Sequence, residues 1–314
     1  MWVVTVFSAC QRNDNRESYT DTPTSGEINL SADESLYPLV EAEIGTFQGI
    51  YTYAKIKARY LPENEAIQAL LTDSARVAVL SRKLNPTELQ YFEELKLKIT
   101  TVPFAIDAIA LIVNTNNPDT LLTYDQLLNI VRGKIKNWGE VNPKSALSGM
   151  NVVFDNSNSS TVRFIKDSLA KTARLPSNCF AVNSNPKVIE YVSTHSDAIG
   201  LIGVGWISDQ DDPISRGFLK QVKVMSLSNP GTDSSATAFY QPFQAEIKQK
   251  LYPLSREIYI VSRENRSGLG SGFAAFVASD RGQRIVQKSG LLPTTLPMRI
   301  IQLGDGSRLE QDQN

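Results

Sequence analysis

Hydroxyl and amide side chains are concentrated in one polar loop, residues 155–161, between an apolar segment and an amphipathic one. The periodicity predicts a strand over residues 151–154 and a helix over 162–172. Asn158, Ser159, Ser160 and Thr161 therefore stand where the helix opens. Unpaired backbone N–H groups and the positive end of the helix dipole meet there, so these residues can hold an oxyanion. Ordinary helix capping is the alternative for the same side chains.

Two further polar loops follow predicted strands. One is residues 31–35, with two carboxylates and a hydroxyl, Asp33, Glu34 and Ser35. The other is Ser81 and Arg82, at the end of the short apolar segment 77–80.

Arg82 is the cation that these loops offer to a ligand. Its guanidinium can make a bidentate contact to phosphate or to a carboxylate. It can equally form a structural ion pair with Asp155 or Glu34. The sequence leaves both roles open.

Composition excludes several other classes of function. The 314-residue chain has 32 basic and 33 acidic side chains, so its net charge of -1 gives no support for nucleic-acid binding. The chain has one histidine and two cysteines, too few for a His/Cys metal cluster, and no metal or cofactor is predicted. Because no nucleophile and base stand at a plausible spacing, no enzyme activity is predicted either.

Strand, loop and helix alternate along the chain, which predicts an α/β fold with a parallel sheet. Residues 99–141 show this most clearly. A continuous apolar segment at 107–113 predicts a strand buried on both faces. Thr123 and Gln126 then form a capping box for a short helix, and Gly133 is placed to end it.

The first ten residues resemble the end of a lipoprotein signal, because small residues precede Cys10 in the sequence FSAC. Cys10 is then the expected lipidation site, and the polar residues 11–25 a flexible tether. The alternative is a frayed terminus with a chance cysteine. With Cys10 lipidated, Cys179 has no disulfide partner and is expected to be a small buried residue.

Several segments, in order, resemble the phosphate-binding proteins that serve phosphate ABC transporters, which have the type 2 periplasmic-binding-protein fold. The matching segments are VPFAIDAIALIVN, LTYDQLLNIVRGKIKNW, YPLSREIYIVS and GQRIVQKSGLLP. The resemblance covers most of residues 27–297 and is weakest at 208–249.

The resemblance implies two α/β domains with mixed sheets, flanked by helices, and a ligand cleft between them. Residues 27–104 plus 252–304 would form a discontinuous domain 1, and residues 105–251 domain 2. Strands near Pro103 and Tyr252 would form the hinge. Residues 1–26 would be a signal remnant and tether, and residues 305–314 a disordered tail.

The resemblance also implies which residues of this sequence would bind the ligand. The family's anion loop is an arginine followed by Ser-Gly-Thr; here Ser159 and Thr161 match, Ser160 replaces the glycine, and Asp155 stands where the arginine is expected. Ser35 takes a hydroxyl position in the loop that precedes Tyr37-Pro38. Asp33 and Asp155 would contact the ligand or form a salt bridge in the cleft. With several carboxylates against one arginine, either some point away or the ligand is not a simple oxyanion.

The function implied is that of a solute-binding lipoprotein of an ABC uptake system. It would be periplasmic, membrane-anchored and monomeric, would close on phosphate or a related oxyanion, and would deliver it to the transmembrane permease. The alternative is an interaction or sensory lipoprotein that keeps the fold but has lost the anion site.

Overall fold

The computed structural model describes residues 21–172, 174–231 and 238–295. Cys10 and the predicted tail 305–314 lie outside the described residues. Within them, no helix is both long and apolar enough to cross a membrane.

Strands and helices alternate as predicted. The strands are β1 (Gly26–Asp33), β2 (Ala54–Leu61), β3 (Val77–Leu80), β4 (Thr100–Asn114), β5 (Leu121–Leu122), β6 (Asn151–Phe154), β7 (Cys179–Ala181), β8 (Ala198–Gly203), β9 (Val222–Val224), β10 (Ser226–Ser228), β11 (Phe239–Tyr240), β12 (Ser255–Ser262) and β13 (Leu292–Pro293). The helices are α1 (Tyr37–Ile50), α2 (Glu63–Leu71), α3 (Pro86–Glu94), α4 (Tyr124–Val131), α5 (Trp138–Val141), α6 (Ser160–Phe164), α7 (Asn185–Thr194), α8 (Gly205–Ser208), α9 (Pro213–Leu219), α10 (Gln244–Lys248), α11 (Leu269–Ala278) and α12 (Asp280–Lys288).

The long strand β4 connects the two halves of the molecule. Its first half pairs with β12, and β12 continues through β3 and β1 to β2; these strands belong to domain 1. Its second half pairs with β8 and β9, and β8 continues through β6 to β7; these belong to domain 2. The predicted α/β architecture with two domains is confirmed, whereas the predicted residue limits of the domains stay predictions.

The burial of β4 explains its sequence. Residues 108–113 are fully buried, as the continuous apolar segment predicts for a strand covered on both faces. The capping box of α4 is present, with the Thr123 hydroxyl accepting from the Gln126 N–H at 3.1 Å and the Gln126 side chain accepting from the Thr123 N–H. Gly133 follows α4 with φ +73°, a conformation that favours glycine.

Four local predictions need correction. The loop expected at residues 31–35 is shorter, because β1 continues to Asp33 and a 3₁₀ turn follows at Glu34–Leu36. The helix expected to begin at residue 162 begins at Ser160 and becomes π-helical over Ile165–Ala170. The Ser-, Thr-, Asn- and Gly-rich composition of residues 226–241 predicts an irregular segment, but the structure has β10 and β11 there. Cys179, expected to be buried, is only half-buried.

Candidate functional site

The centre of the site is Arg256 on β12, which lies directly across the sheet from Asp107 on β4. The guanidinium Nε and Nη2 are 2.9 and 2.8 Å from Asp107 Oδ2, and both side chains are buried. Burial raises the pKa of Asp107. Burial opposes the charge on Arg256, but Asp107 and Asp33 outweigh that effect and raise its pKa. The sheet register therefore fixes one permanent cation between the domains.

The other side of the Arg256 guanidinium reaches one hydroxyl from each domain. Nη1 donates to Ser160 Oγ at 2.7 Å, at the start of α6 in domain 2. Nη2 donates to Ser35 Oγ at 2.9 Å, in the 3₁₀ turn of domain 1. The two hydroxyl oxygens are 3.2 Å apart. Ser35 of domain 1 and Ser160 of domain 2, both predicted site residues, thus meet on one guanidinium.

Asp33 adds a carboxylate to the same point. Its Oδ1 accepts from the backbone N–H of Ser35 at 2.9 Å and from the Ser35 hydroxyl. Its Oδ2 accepts from the backbone N–H of Ser160 at 3.2 Å, across the cleft. Burial, and after it the charge of Glu63, raise the pKa of Asp33. A carboxyl oxygen from domain 1 therefore occupies an acceptor position at the start of α6.

Asp155 lies beside this cluster, and among the described residues it pairs with neither Arg82 nor another arginine. Its Oδ1 accepts from the Ser159 hydroxyl at 2.7 Å. Its Oδ2 accepts from Asn185 Nδ2 at 3.4 Å, and the same nitrogen donates to Glu34 Oε2 at 2.6 Å. Asn185 therefore connects carboxylates of opposite domains.

The remaining residues of the predicted anion loop differ in their surroundings. Ser159 is the N-cap of α6, with its hydroxyl accepting from the Val162 N–H at 3.3 Å. Thr161 is fully buried, and its Oγ1 has no hydrogen-bond partner within the part of the chain described. Asn158 is exposed, and its N–H donates to Asn156 Oδ1. Thr161 is thus the loop residue with an unused hydroxyl.

A second charged cluster crosses the cleft at Ser81. Glu63, at the start of α2, accepts from the Ser81 N–H and hydroxyl at 3.2 and 2.9 Å. From domain 2, the Arg163 guanidinium contacts Glu63 and donates to Ser81 Oγ at 2.9 Å. Arg163 and Glu63 therefore connect the two domains.

Arg82 has a different partner from the two that the sequence suggested. Both of its terminal nitrogens donate to the Glu88 carboxylate at 2.8 Å, and Asp155 and Glu34 are not its partners. Glu88 also caps α3, where Asn85 and Glu88 form a capping box. Arg82 Nε also lies 3.7 Å from Glu63 Oε2, so both carboxylates with which Arg82 pairs belong to domain 1.

The domains also meet through backbone at Gly203, the last residue of β8. A Cβ atom at this position would lie 2.8 Å from the carbonyl oxygen of Ser35. The indole of Trp206, in α8 of domain 2, donates to the same oxygen at 3.1 Å. The approach of the two domains at this point therefore requires glycine.

Sequence reasoning missed Arg163, Asn185 and Arg256. Arg256 is the one that had a detectable signal, because it and Glu257 are charged residues in the mostly apolar strand β12, and Asp107 is a charged residue in β4. Two opposite charges in neighbouring buried strands suggest a cross-strand pair. Arg163 and Asn185 lie in ordinary helix positions, and their sequence environment gives no such signal.

The sequence matches the PBP superfamily domain over residues 17–281. Because this match covers most of the chain, the protein belongs to the PBP superfamily. The abbreviation PBP also stands for the periplasmic-binding-protein fold that the sequence predicted.

Individual relatives are more specific in their names. The chain is 25% identical over 291 residues to the phosphate-binding protein PstS of Pseudomonas aeruginosa, which covers 88% of this chain and 85% of that protein. Among solved structures, a putative phosphate ABC transporter substrate-binding protein from Clostridium perfringens, with bound phosphate, has a TM-score of 0.71 at 24% identity and covers 86% of this chain and 100% of its own. An ABC-type phosphate transport receptor from Vibrio cholerae has a TM-score of 0.63 at 24% identity, with the same coverage. These structures are similar to this chain in fold.

Proposed function

We propose that this protein is the solute-binding component of an ABC uptake system and that it binds phosphate. The observation that carries the proposal is the convergence of the Ser35 and Ser160 hydroxyls, from opposite domains, on the buried Arg256. A permanent cation with hydroxyl donors on both sides of a cleft suits a tetrahedral oxyanion, which offers acceptors in several directions. The names of the relatives support phosphate as the ligand.

The ligand would replace contacts that the protein makes with itself. Asp33 Oδ2 accepts the Ser160 N–H in this structure, and an oxyanion entering the cleft would take over that role. Thr161 Oγ1, buried and without a partner in the described ranges, would donate to a second ligand oxygen. At Ser160 one acceptor replaces another, whereas the contact from Thr161 is new, and a hydrogen bond to a charged acceptor is worth about 1.5–3 kcal/mol.

Closure would occur by bending at β4, which runs from domain 1 into domain 2, and at the segment near Tyr252 that leads into the neighbouring strand β12. Ligand binding then shifts an equilibrium between open and closed forms. The Arg163–Glu63 pair would form on closure, since its members belong to opposite domains. The closed form would be the one that the transmembrane permease recognises.

The proposed setting is the periplasm, which is the location printed for one phosphate-binding protein of similar fold. Lipidation at Cys10 would anchor a monomer to the membrane. No catalytic step is assigned to the site, and the relatives compared above are named as binding proteins.

Isothermal titration calorimetry with phosphate, sulfate, molybdate and small organic anions tests the proposal. Phosphate is expected to bind with one site per chain. If none of these anions binds to the folded protein, the transport function is wrong in this form.

The substitution Thr161→Val is expected to weaken phosphate binding by about tenfold or more without lowering the melting temperature. Valine has the size of threonine, and the hydroxyl it removes makes no hydrogen bond within the described structure. Calorimetry gives the affinity, and thermal unfolding the stability. Thr46→Val, on the exposed face of α1, is the matched control. Unchanged affinity in Thr161→Val would remove this hydroxyl from the site.

The second candidate function is an interaction or sensory protein that no longer binds an anion. It is favoured by Asp155, a buried carboxylate at the position where the resembling family has an arginine. It predicts that no anion binds and that substitution of Arg256 leaves the function unchanged.

A further inference from the structure

Five chain connections meet at one end of domain 1, which we call the base. The parallel strands β1, β2 and β3 begin there. β4 also begins there and β12 ends there, because Ser262 lies opposite both Val77 of β3 and Thr100 of β4. The base consists of residues 21–25, 50–53, 72–76, 95–99 and 263–268.

The base faces away from the cleft. The candidate site lies at the opposite ends of the same strands, and β1 alone places about 23 Å between Gly26 and Asp33. Whatever binds at the base therefore leaves the cleft open to solution.

The described chain begins at the base and is fixed there. The Asp21 carboxylate accepts from the Leu269 N–H at 2.9 Å and pairs with Arg76 at 3.2 Å. Gly26, at the start of β1, donates its N–H to the Tyr53 carbonyl at 2.9 Å. Ten residues separate Asp21 from Cys10, and even a fully extended chain of that length spans only about 40 Å. A lipid anchor at Cys10 would therefore hold the base close to a membrane surface.

Three large apolar side chains are exposed at the base. Tyr53, beside the N-terminal segment, is 84% exposed, and Leu95 and Ile50 are 47% and 39% exposed. Tyrosine has an apolar ring and a polar tip, which suits the boundary between lipid and water. These side chains are therefore of the kind that enters the headgroup region of a membrane.

The exposed charge of the base is mainly positive. Its basic residues are Arg76, Lys96, Lys98, Arg263 and Arg266, and its acidic residues are Asp21, Asp73 and Glu264. The side chains of Asp21 and Glu264 are buried against Arg76, and Asp73 pairs with Arg263. Lys96 and Lys98 are exposed and have no salt bridge among the described residues, although Glu93 and Glu94 end α3 just before them.

A pocket of about 450 Å³ opens at the base between the three arginines, with Asp73 and Glu264 also in its lining. Guanidinium groups suit the phosphodiester of a lipid headgroup, and a positive surface suits anionic lipid.

We propose that the base of domain 1 is a membrane-binding surface that rests on anionic lipid. Tyr53 and Leu95 enter the headgroup region, and Lys96 and Lys98 contact lipid phosphates. This uses the proposed anchoring at Cys10 and does not depend on the ligand of the cleft. Domain 1 is then the part held at the membrane, and domain 2 is the part that moves when the cleft opens and closes.

Co-sedimentation with lipid vesicles tests the surface in the full chain carrying Cys10→Ser, so that no lipid anchor contributes. Vesicles of phosphatidylcholine with phosphatidylglycerol are compared with vesicles of phosphatidylcholine alone. The double substitution Lys96→Gln with Lys98→Gln is expected to weaken binding to the anionic vesicles by about tenfold. Lys134→Gln with Lys136→Gln is the matched control, because these two exposed lysines of domain 2 have the same spacing. It should change binding by less than twofold.

A second measurement shows which end of the molecule meets the lipid. The fluorescence of Tyr53→Trp should shift to shorter wavelength when anionic vesicles are added, whereas that of Phe243→Trp, an exposed position in domain 2, should not. A shift at Phe243→Trp alone would overturn the orientation.

Equal binding to both kinds of vesicle, or an equal loss in the two pairs of lysine substitutions, would overturn the membrane-binding surface. Calorimetry with phosphate separates this result from the function of the cleft. A chain that binds anionic vesicles through the base but binds no phosphate would keep this proposal and overturn the phosphate function.

Discussion

Replacing Arg256 with lysine is expected to weaken phosphate binding by about a hundredfold or more. Lysine keeps the charge that neutralises Asp107, so the buried pair is not left as a single carboxylate. A single ammonium cannot hold the hydroxyls of Ser35 and Ser160 at once in the planar geometry that the guanidinium provides. Loss of two charge-assisted hydrogen bonds, each worth about 1.5–3 kcal/mol, gives an effect of this size.

Arg82→Lys is the matched comparison, because Arg82 was the cation that the sequence suggested. Its guanidinium is bound to Glu88 within domain 1, so we expect less than a threefold change in affinity. Both variants are measured by calorimetry, after circular dichroism and thermal unfolding have shown that they fold. A large loss in Arg82→Lys with little change in Arg256→Lys would reverse the assignment of the cation.

Replacing Glu43 with glutamine is expected to stabilise the protein above neutral pH. Glu43 lies on the buried face of α1, only 1% exposed, and neither carboxyl oxygen has a hydrogen-bond partner among the described residues. Burial raises its pKa to about 9. The native state keeps a proton that the unfolded chain loses, so wild-type stability is greatest below the ordinary glutamate pKa and decreases until about pH 9. Each pH unit within that window costs up to about 1.4 kcal/mol.

Chemical denaturation at pH 5 and pH 8 measures this effect. The free energy of unfolding of Glu43→Gln, relative to wild type, should rise by about 3 kcal/mol between the two pH values. Glu93→Gln, on the exposed side of α3, is the control and should show a much smaller change. A constant difference between Glu43→Gln and wild type would mean that Glu43 is ionised in the native protein.

Most strands and helices of this fold could be predicted from the sequence because the patterns that specify them are local. The burial of β4 follows from its apolar composition, and the capping box at Thr123 and Gln126 marks the start of α4. The box at Asn85 and Glu88 was equally visible and would have located α3. The π-helical segment after α6 was not predictable, because it has no marker in the sequence.

Only some residues of the candidate site could be predicted from the sequence, for a physical reason. Ser35 and Ser160 could be proposed because hydroxyls at strand ends and helix starts are a recognisable pattern. Their convergence on Arg256 depends on the register between β4 and β12 and on how two domains close. These are long-range properties that a sequence does not display. Sequence reasoning therefore suggested Arg82, which lies in a loop at the end of a predicted strand, and not Arg256, which the sheet register places beside the two hydroxyls.

The absence of a side chain at Gly203 allows the two domains to come into close contact. The two domains are in close contact there, since a Cβ at Gly203 would lie 2.8 Å from the Ser35 carbonyl oxygen, nearer than a Cβ atom can lie without a shift of the backbone. A methyl group added at this position would keep the two domains apart, and it would leave Arg256 and the hydroxyls of Ser35 and Ser160 in place. The close contact of the two domains and the chemical groups of the site can therefore be altered separately at one backbone position.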